Sequence, residues 1–306
     1  MKIKELHRIK TISEFHRLRN LPKPEHPLIS VIDLNAVQYP PEGVAAENLM
    51  FDFYSIAIKR GLKGKVKYGQ QSYDFDEGIM SFMSPGQVFG MEAMDNPTKP
   101  SGWMLLIHPD FLWNTALGRN IKHYEFFDYS VHEALFLSDK EEALIHNIIR
   151  NIHEEYRANI DKFSQDIIIS QLETLLNYSE RFYQRQFITR KISSHHTLEQ
   201  LENILTDYFN SDDLAAKGLP TVLSVAEQLN LSPSYLSSLL KSLTGQSTQQ
   251  HIHNKLIEKA KEKLSTTDLS VSEIAYELGF EHSQSFSKLF KSKTNQSPSS
   301  FREAFH

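Results

Sequence analysis

Cysteine is absent from the 306-residue chain, which excludes a disulfide scaffold, thiolate zinc sites, iron–sulfur clusters and any thiol nucleophile. Long hydrophobic runs are also lacking. Segments such as WMLLI at 103–107 fall far below the roughly 18 residues that a membrane span needs, and the opening MKIKELHRIK has no apolar leader core. The expectation is a cytoplasmic protein with no membrane partner. An excess of positive charge is missing as well: Lys+Arg number 33 against 38 Asp+Glu, for a net charge of −5. Any contact with nucleic acid must therefore come from a local basic patch rather than from overall charge. What is present, 40% hydrophobic and 23% charged residues, is ordinary for globular chains and excludes wholesale disorder. At roughly 150 residues per domain the length asks for two.

From about residue 28 to 136 the chain reads as short strands. VIDLN, LMFDFYSIAIK, KVKYG, QSYDF, GIMSFM, QVFGM and GWMLLIH are separated by Gly, Pro and Asp-rich breaks, and such even spacing predicts a small barrel or sandwich. In one strand Phe51, Phe53, Ser55 and Ala57 alternate with Asp52, Tyr54, Ile56 and Ile58, so both faces carry apolar groups and an enclosed barrel is expected. Phe51, Phe53, Tyr54, Phe82 and Trp103 are the candidates to line an internal pocket. For each of them, packing in the core is about three times as common a role as ligand contact.

The period changes at Ser138. Ser138 and Glu141 form a capping box, followed by Leu144, Ile145, Ile148, Ile149 and Ile152 at helical spacing. A second helix carries Ile168, Leu172, Leu175, Leu176 and Phe182, and its stripe could cross to a second copy of the chain. The polar stretch 191–196 has the composition of a linker.

The last third contains an internal repeat. Placing SVAE at 224–227 over SVSE at 270–273 suggests two capping boxes about fifty residues apart, opening short helices at 226–229 and 274–278. A tight turn then leads to a second helix in each copy, YLSSLLKSLTG and SFSKLFKSKTN. Gly245 and Asn295 are placed to end these helices in the left-handed conformation, Ser232-Pro233 and Ser297-Pro298 to start helices, and Ser247 with Gln250 to cap a long helix between the copies. Two helices joined by a tight turn predict a helix-turn-helix. With Leu236, Leu239, Leu240 and Leu243 inward, the outward face of the first second-helix is Ser234, Ser237, Ser238 and Lys241. With Phe286, Leu289 and Phe290 inward, that of the second is Gln284, Ser287, Lys288 and Lys291. No acidic residue interrupts either face. Glutamine pairs with adenine, lysine donates to guanine, and serine reaches bases or phosphates. From Thr221 onward nine Lys and Arg meet eight carboxylates, so placement rather than total charge must do the attracting.

The segments SVAEQLNLSPSYLSSLLKSLTG, KLIEKAKEKL and VSEIAYELGFEHSQSFSKLFKSKTNQSP closely resemble the AraC/XylS family of bacterial transcription regulators over residues 197–305. The resemblance implies base-reading roles for Ser234, Ser237 and Ser238, then for Ser283, Gln284, Ser285 and Lys288, with Lys241 and Lys291 on the same faces. The chain departs from the pattern at Asn295, where Gly is usual, at Ser285 for Tyr, at Lys255 for Arg and at Ser238 for Arg. FDFYSIAI, YDFDEGIMSFMSPGQV and GWMLLIHPDFL further resemble the cupin-type sensor domains that precede dimerisation helices in many members. That implies a small-molecule effector in the barrel, a homodimer through Ile168, Leu172, Leu175 and Leu176, and double-stranded DNA and RNA polymerase as partners.

The expected organisation is thus a multidomain α+β chain. Residues 1–137 form a cupin-like β-barrel sensor, 138–194 a helical dimerisation and linker segment, and 195–306 an all-α double helix-turn-helix DNA-binding domain. The alternative is a metal-dependent cupin enzyme with a regulatory helical domain, and a third reading is an interaction protein that has lost DNA binding. A metal cupin needs a His-x-His, a Glu and a later His on adjacent strands, whereas the strand region offers only His108. His251 and His253 lie about 200° apart on a helix, and His195 and His196 fall in the polar stretch. No catalytic set, metal or cofactor is expected.

Overall fold

A computed structural model describes residues 6–37, 48–60, 62–68, 71–75, 78–90, 101–130, 133–158, 161–189, 191–211 and 214–304. The chain divides into two compact units, Met1–Gln186 and Phe187–His306, where the sequence suggested three segments. Met91, the end of one expected strand, and Phe305, the end of the family resemblance, lie outside the described residues.

The first unit runs β1 (Leu6–Ile9), α1 (Ile12–Leu18), β2 (Ile29–Asp33), β3 (Asn48–Phe51), β4 (Tyr54–Arg60), β5 (Leu62–Tyr68), β6 (Gln71–Phe75), β7 (Gly78–Met83), β8 (Val88–Gly90), β9 (Ser101–Ile107), α2 (Ala116–Asn120), β10 (Leu135–Leu137), α3 (Asp139–Arg157) and α4 (Ser164–Thr189). β4 is central because both its faces are apolar, and the antiparallel sheet around it has the order β10-β7-β4-β9-β2. β1-β3-β8 and β5-β6 form two smaller sheets. Among the described residues the large sheet ends in two edges, β10 and β2, so these strands do not close into the expected barrel.

One face of the large sheet lies under α3 and α4. The capping box of Ser138 and Glu141 starts α3 as expected, and Ile145, Ile148, Ile149 and Ile152 are buried. α4 is tied to this unit by hydrogen bonds: Tyr183 donates its hydroxyl to the Glu133 carbonyl at 3.1 Å, Gln186 accepts from the Phe136 amide at 2.8 Å, and Arg185 meets Glu141 at 2.7 Å. Ile168, Leu172, Leu175 and Leu176 are exposed by 4% or less within the chain itself. The stripe expected to join two copies is therefore covered by its own fold, and the assignment of these four residues to a dimer contact is corrected.

The second unit is all helix: α5 (Lys191–Phe209), α6 (Leu214–Lys217), α7 (Val222–Gln228), α8 (Pro233–Thr244), α9 (Thr248–Thr266), α10 (Val271–Glu277), α11 (Ser283–Thr294) and α12 (Pro298–Glu303). The polar stretch expected as a linker is the first turn of α5. Leu201, Leu205 and Phe209 farther along that helix join a core with Val225, Leu236, Ile252, Leu256, Ile274, Phe286 and Phe290. Packing of this apolar half carries the helix back through its polar start. α9 holds 19 residues, about 28 Å of rigid rod at 1.5 Å per residue, with Ile252, Leu256, Ile257, Ala260 and Leu264 inward.

Candidate nucleic-acid interface

The two copies of the repeat are placed by their caps. α10 begins at Ser270, whose side chain accepts from the Glu273 amide at 3.1 Å while Glu273 accepts from the Ser270 amide at 2.7 Å. The Ser270 hydroxyl, and then the Ser270 amide, hold the Glu273 carboxyl below its usual range. α7 begins three residues before the expected Ser224. Thr221 is its N-cap, and it exchanges hydrogen bonds with Ser224 at 3.0 and 3.1 Å. The true repeat thus aligns Val222–Gln228 with Val271–Glu277, a correction to the SVAE/SVSE pairing, since Ser224 occupies the third helical position that Glu273 fills in the other copy.

Each turn needs a residue with positive φ, Asn230 at 54° and Gly279 at 84°. Asparagine tolerates that region. At Gly279 a Cβ would also lie 2.8 Å from the carbonyl carbon of Gly218, so only glycine fits. Gly245 and Asn295 end α8 and α11 with φ of 75° and 60°, and Ser232-Pro233 and Ser297-Pro298 start α8 and α12 as expected.

The outward faces differ. On α11, Gln284, Ser285, Lys288 and Lys291 are exposed and Ser283 and Ser287 are partly so. Lys293 is exposed as well, but about 140° round α11 from Lys288 and so outside that face. On α8, Lys241 is exposed and Ser234 partly exposed. Ser237 is held by Thr248, with the hydroxyls 3.0 Å apart. Ser238, expected to face outward, is buried to 5% exposure and is corrected to an interior position. Leu243, expected inward, is only partly buried.

Several cations of the unit are engaged by its own groups. Lys255 pairs with Glu258 at 3.7 Å, Lys259 with Glu262 at 2.9 Å and Lys263 with Glu277 at 2.6 Å. Lys261 lies 5.9 Å from the centre of the Phe301 ring, and Arg302 donates to the carbonyls of Leu264 and Leu269 at 3.4 and 2.5 Å. Lys288, Lys291 and Lys293 form no ion pair among the described residues. Positive charge outside these pairs is therefore present three times on α11. It is felt nearby: burial, and then Lys293, lowers the pKa of His253.

The residues proposed for an effector pocket are not brought together. Tyr54, Phe82 and Trp103 point to the helix-covered face of the sheet. The Tyr54 ring lies 5.1 Å from Phe127, Phe82 lies 4.5 Å from Phe126, and Trp103 lies 5.2 Å from His153. Phe51 and Phe53 stack at 4.9 Å in a separate core with Ile9, Phe15 and Leu106. The single grouping of five is corrected to two packed clusters. His108 caps the turn that follows β9, its Nδ1 accepting from the Asp110 amide at 3.2 Å. His251 meets Thr244 at 2.9 Å, His253 meets Gln249 at 2.8 Å, and His195 and His196 are exposed on α5. No described helix is long and apolar enough to cross a membrane.

The tandem units joined by a long helix define a helix-turn-helix domain, and residues 225–304 match the family model described as "Helix-turn-helix domain". More particularly, the C-terminal unit is similar to those of HTH-type transcriptional regulators. The chain is 32% identical over 122 residues to the uncharacterized HTH-type transcriptional regulator YijO of Escherichia coli K12, covering 40% of this chain and 42% of YijO. It is 26% identical over 255 residues to the HTH-type transcriptional activator RhaS of Escherichia coli O81, covering 82% and 86%. Among solved structures it matches the C-terminal domain of the two-component response regulator yesN of Fusobacterium nucleatum at 32% identity. That match has a TM-score of 0.31 and covers 35% of this chain and 98% of that one. The chain spans less than half the length of the first curated relatives it matches.

Proposed function

We propose that this chain is a sequence-specific transcription regulator, not an enzyme, that reads double-stranded DNA through α8 and α11, with α11 making the larger share of contacts. The observation that supports it most is the placement of cations, since Lys288 and Lys291, which form no ion pair among the described residues, share the exposed face of α11 with Gln284. Gln284 is suited to adenine, Lys288 to guanine, and Lys291 and the exposed serines to phosphates. Ser234 and Lys241 make the lesser contribution from α8, Ser237 being engaged by Thr248. In this reading the N-terminal sheet unit is a cupin-like sensor for a small molecule, and the protein acts in the cytoplasm with promoter DNA and RNA polymerase. Its ligand shifts DNA affinity only through a difference in affinity for two states, a coupling of about 1–3 kcal/mol. A homodimer through the α4 stripe forms no part of it, because that stripe is already buried.

The test is selection of the full-length protein against random duplexes. A motif of two elements about one helical turn, roughly 10.5 base pairs, apart should be enriched, and binding should weaken steeply with salt. Enrichment of no motif, even at low salt, would contradict the reading.

A further inference from the structure

The strand β10 and the reading helix α8 are each gripped by α4, through residues that are neighbours in the chain. β10 is an edge of the large sheet, so the N–H and C=O groups on its outer side lack a strand to pair with. One turn of α4 supplies the partners instead. Tyr183 donates its hydroxyl to the Glu133 carbonyl at 3.1 Å, Gln186 donates to the Ala134 carbonyl at 3.2 Å and accepts from the Phe136 amide at 2.8 Å, and Arg185 donates to the Phe136 carbonyl at 2.8 Å. Gln186 is 2% exposed, so movement of α4 without β10 would leave buried polar groups on both without partners.

The next residue, Phe187, begins the second unit. It is 1% exposed, its ring meets that of Tyr235 edge to face with centroids 5.2 Å apart, and its carbonyl accepts from the buried Ser194 hydroxyl at 3.1 Å. Tyr235 lies in the first turn of α8 beside Ser234, and its amide is the group that the N-cap Ser232 holds at 3.2 Å. The start of the first reading helix is thus packed on Phe187. Because Gln186 and Phe187 are consecutive within the helix Ser164–Thr189, the two grips are joined by hydrogen-bonded helix and not by a flexible linker. Side-chain packing and hydrogen bonds in series along a rigid element carry a displacement from one place to another.

We propose that Gln186 and Phe187 are positioning residues that couple the edge strand of the first unit to the DNA-reading helix α8, Gln186 following β10 and Phe187 setting the start of α8. Phe187 acts through Tyr235, being itself buried away from any duplex. The proposal rests on the DNA-reading function above and names the route of its regulation. Coupling of this kind is reciprocal: what β10 does to α8, DNA held by α8 does to β10. DNA alone therefore suffices to test it.

The test is hydrogen exchange of the full chain with and without the selected duplex. Exchange at the Phe136 amide requires its bond to Gln186 to open, so DNA that steadies α8 should slow it by about fivefold or more, the lower end of ordinary coupling. Phe187→Leu keeps the core filled and removes the ring contact with Tyr235. The duplex should still bind, and most of its effect on Phe136 should be lost. Gln186→Met removes both bonds to β10, which should speed exchange at Phe136 without DNA and likewise remove the effect of the duplex. A bound duplex that leaves Phe136 unchanged in the parent, or an effect that persists undiminished in both variants, would overturn the proposal while keeping the DNA reading. Failure of the parent to bind any duplex would instead refute that reading, and the proposal with it.

Discussion

The two helix-turn-helix copies share the capping boxes of their first helices, the turn conformation, the left-handed ends of their second helices and the core positions, yet they present different outward faces. Val225 and Ala226 occupy the same interior places as Ile274 and Ala275, and Leu231 and Phe280 follow turns of like φ. On α8 the serines are drawn inward, Ser237 to Thr248 and Ser238 below the surface. On α11 the same side is open, longer and cationic. A duplicated fold therefore does not carry duplicated chemistry. The interior is constrained alike in both copies, while exposed side chains are free to diverge, so the copy with more unpaired positive charge is expected to dominate DNA contact.

The largest effect that separates the copies should be one of stability. Gly279→Ala forces a Cβ against the Gly218 backbone at positive φ, so a loss of at least about 2 kcal/mol is expected, whereas Asn230→Ala should lose about 1 kcal/mol. Denaturant midpoints of the C-terminal unit would measure both, and equal losses would remove the turn asymmetry.

Next comes affinity. Lys288→Ala should weaken specific binding to the selected duplex by about 1–3 kcal/mol. Lys241→Ala should cost less than about 1 kcal/mol, as a phosphate contact would. Titration with labelled duplex checks the order, and a larger loss at Lys241 would reverse the comparison.

The smallest effect is at Ser237. Its alanine variant loses the bond to Thr248 and should reduce stability by about 0.5–1.5 kcal/mol with DNA affinity hardly changed. A marked affinity loss at unchanged stability would instead make Ser237 a reader.

Much of the C-terminal unit was legible because helix punctuation is local. Ser232-Pro233, Ser247 with Gln250, Gly245, Asn295 and Ser297-Pro298 act on backbone groups within a few residues, and each does so where the sequence placed it. The start of α7 was misplaced because Ser224 with Glu227 also reads as a cap, and only the hydrogen bonds of Thr221 decide between them. Ser238 was misjudged because an outward position on an isolated helix is covered once that helix packs in the unit. The strand region was legible as strands but not as faces. Whether Phe82 neighbours Phe53 depends on pairings between distant segments, which periodicity within one strand does not encode.

The most direct test of the central claim, that DNA contact concentrates on α11, is the salt dependence of binding by the full-length protein. Each phosphate contact contributes about 0.9 to the slope of log affinity against log salt. Replacing Lys288 and Lys291 together by Ala should reduce that slope by about 2, while Lys241→Ala should reduce it by no more than about 1. An unchanged slope in the double variant, or an equal reduction from Lys241→Ala alone, would contradict the account.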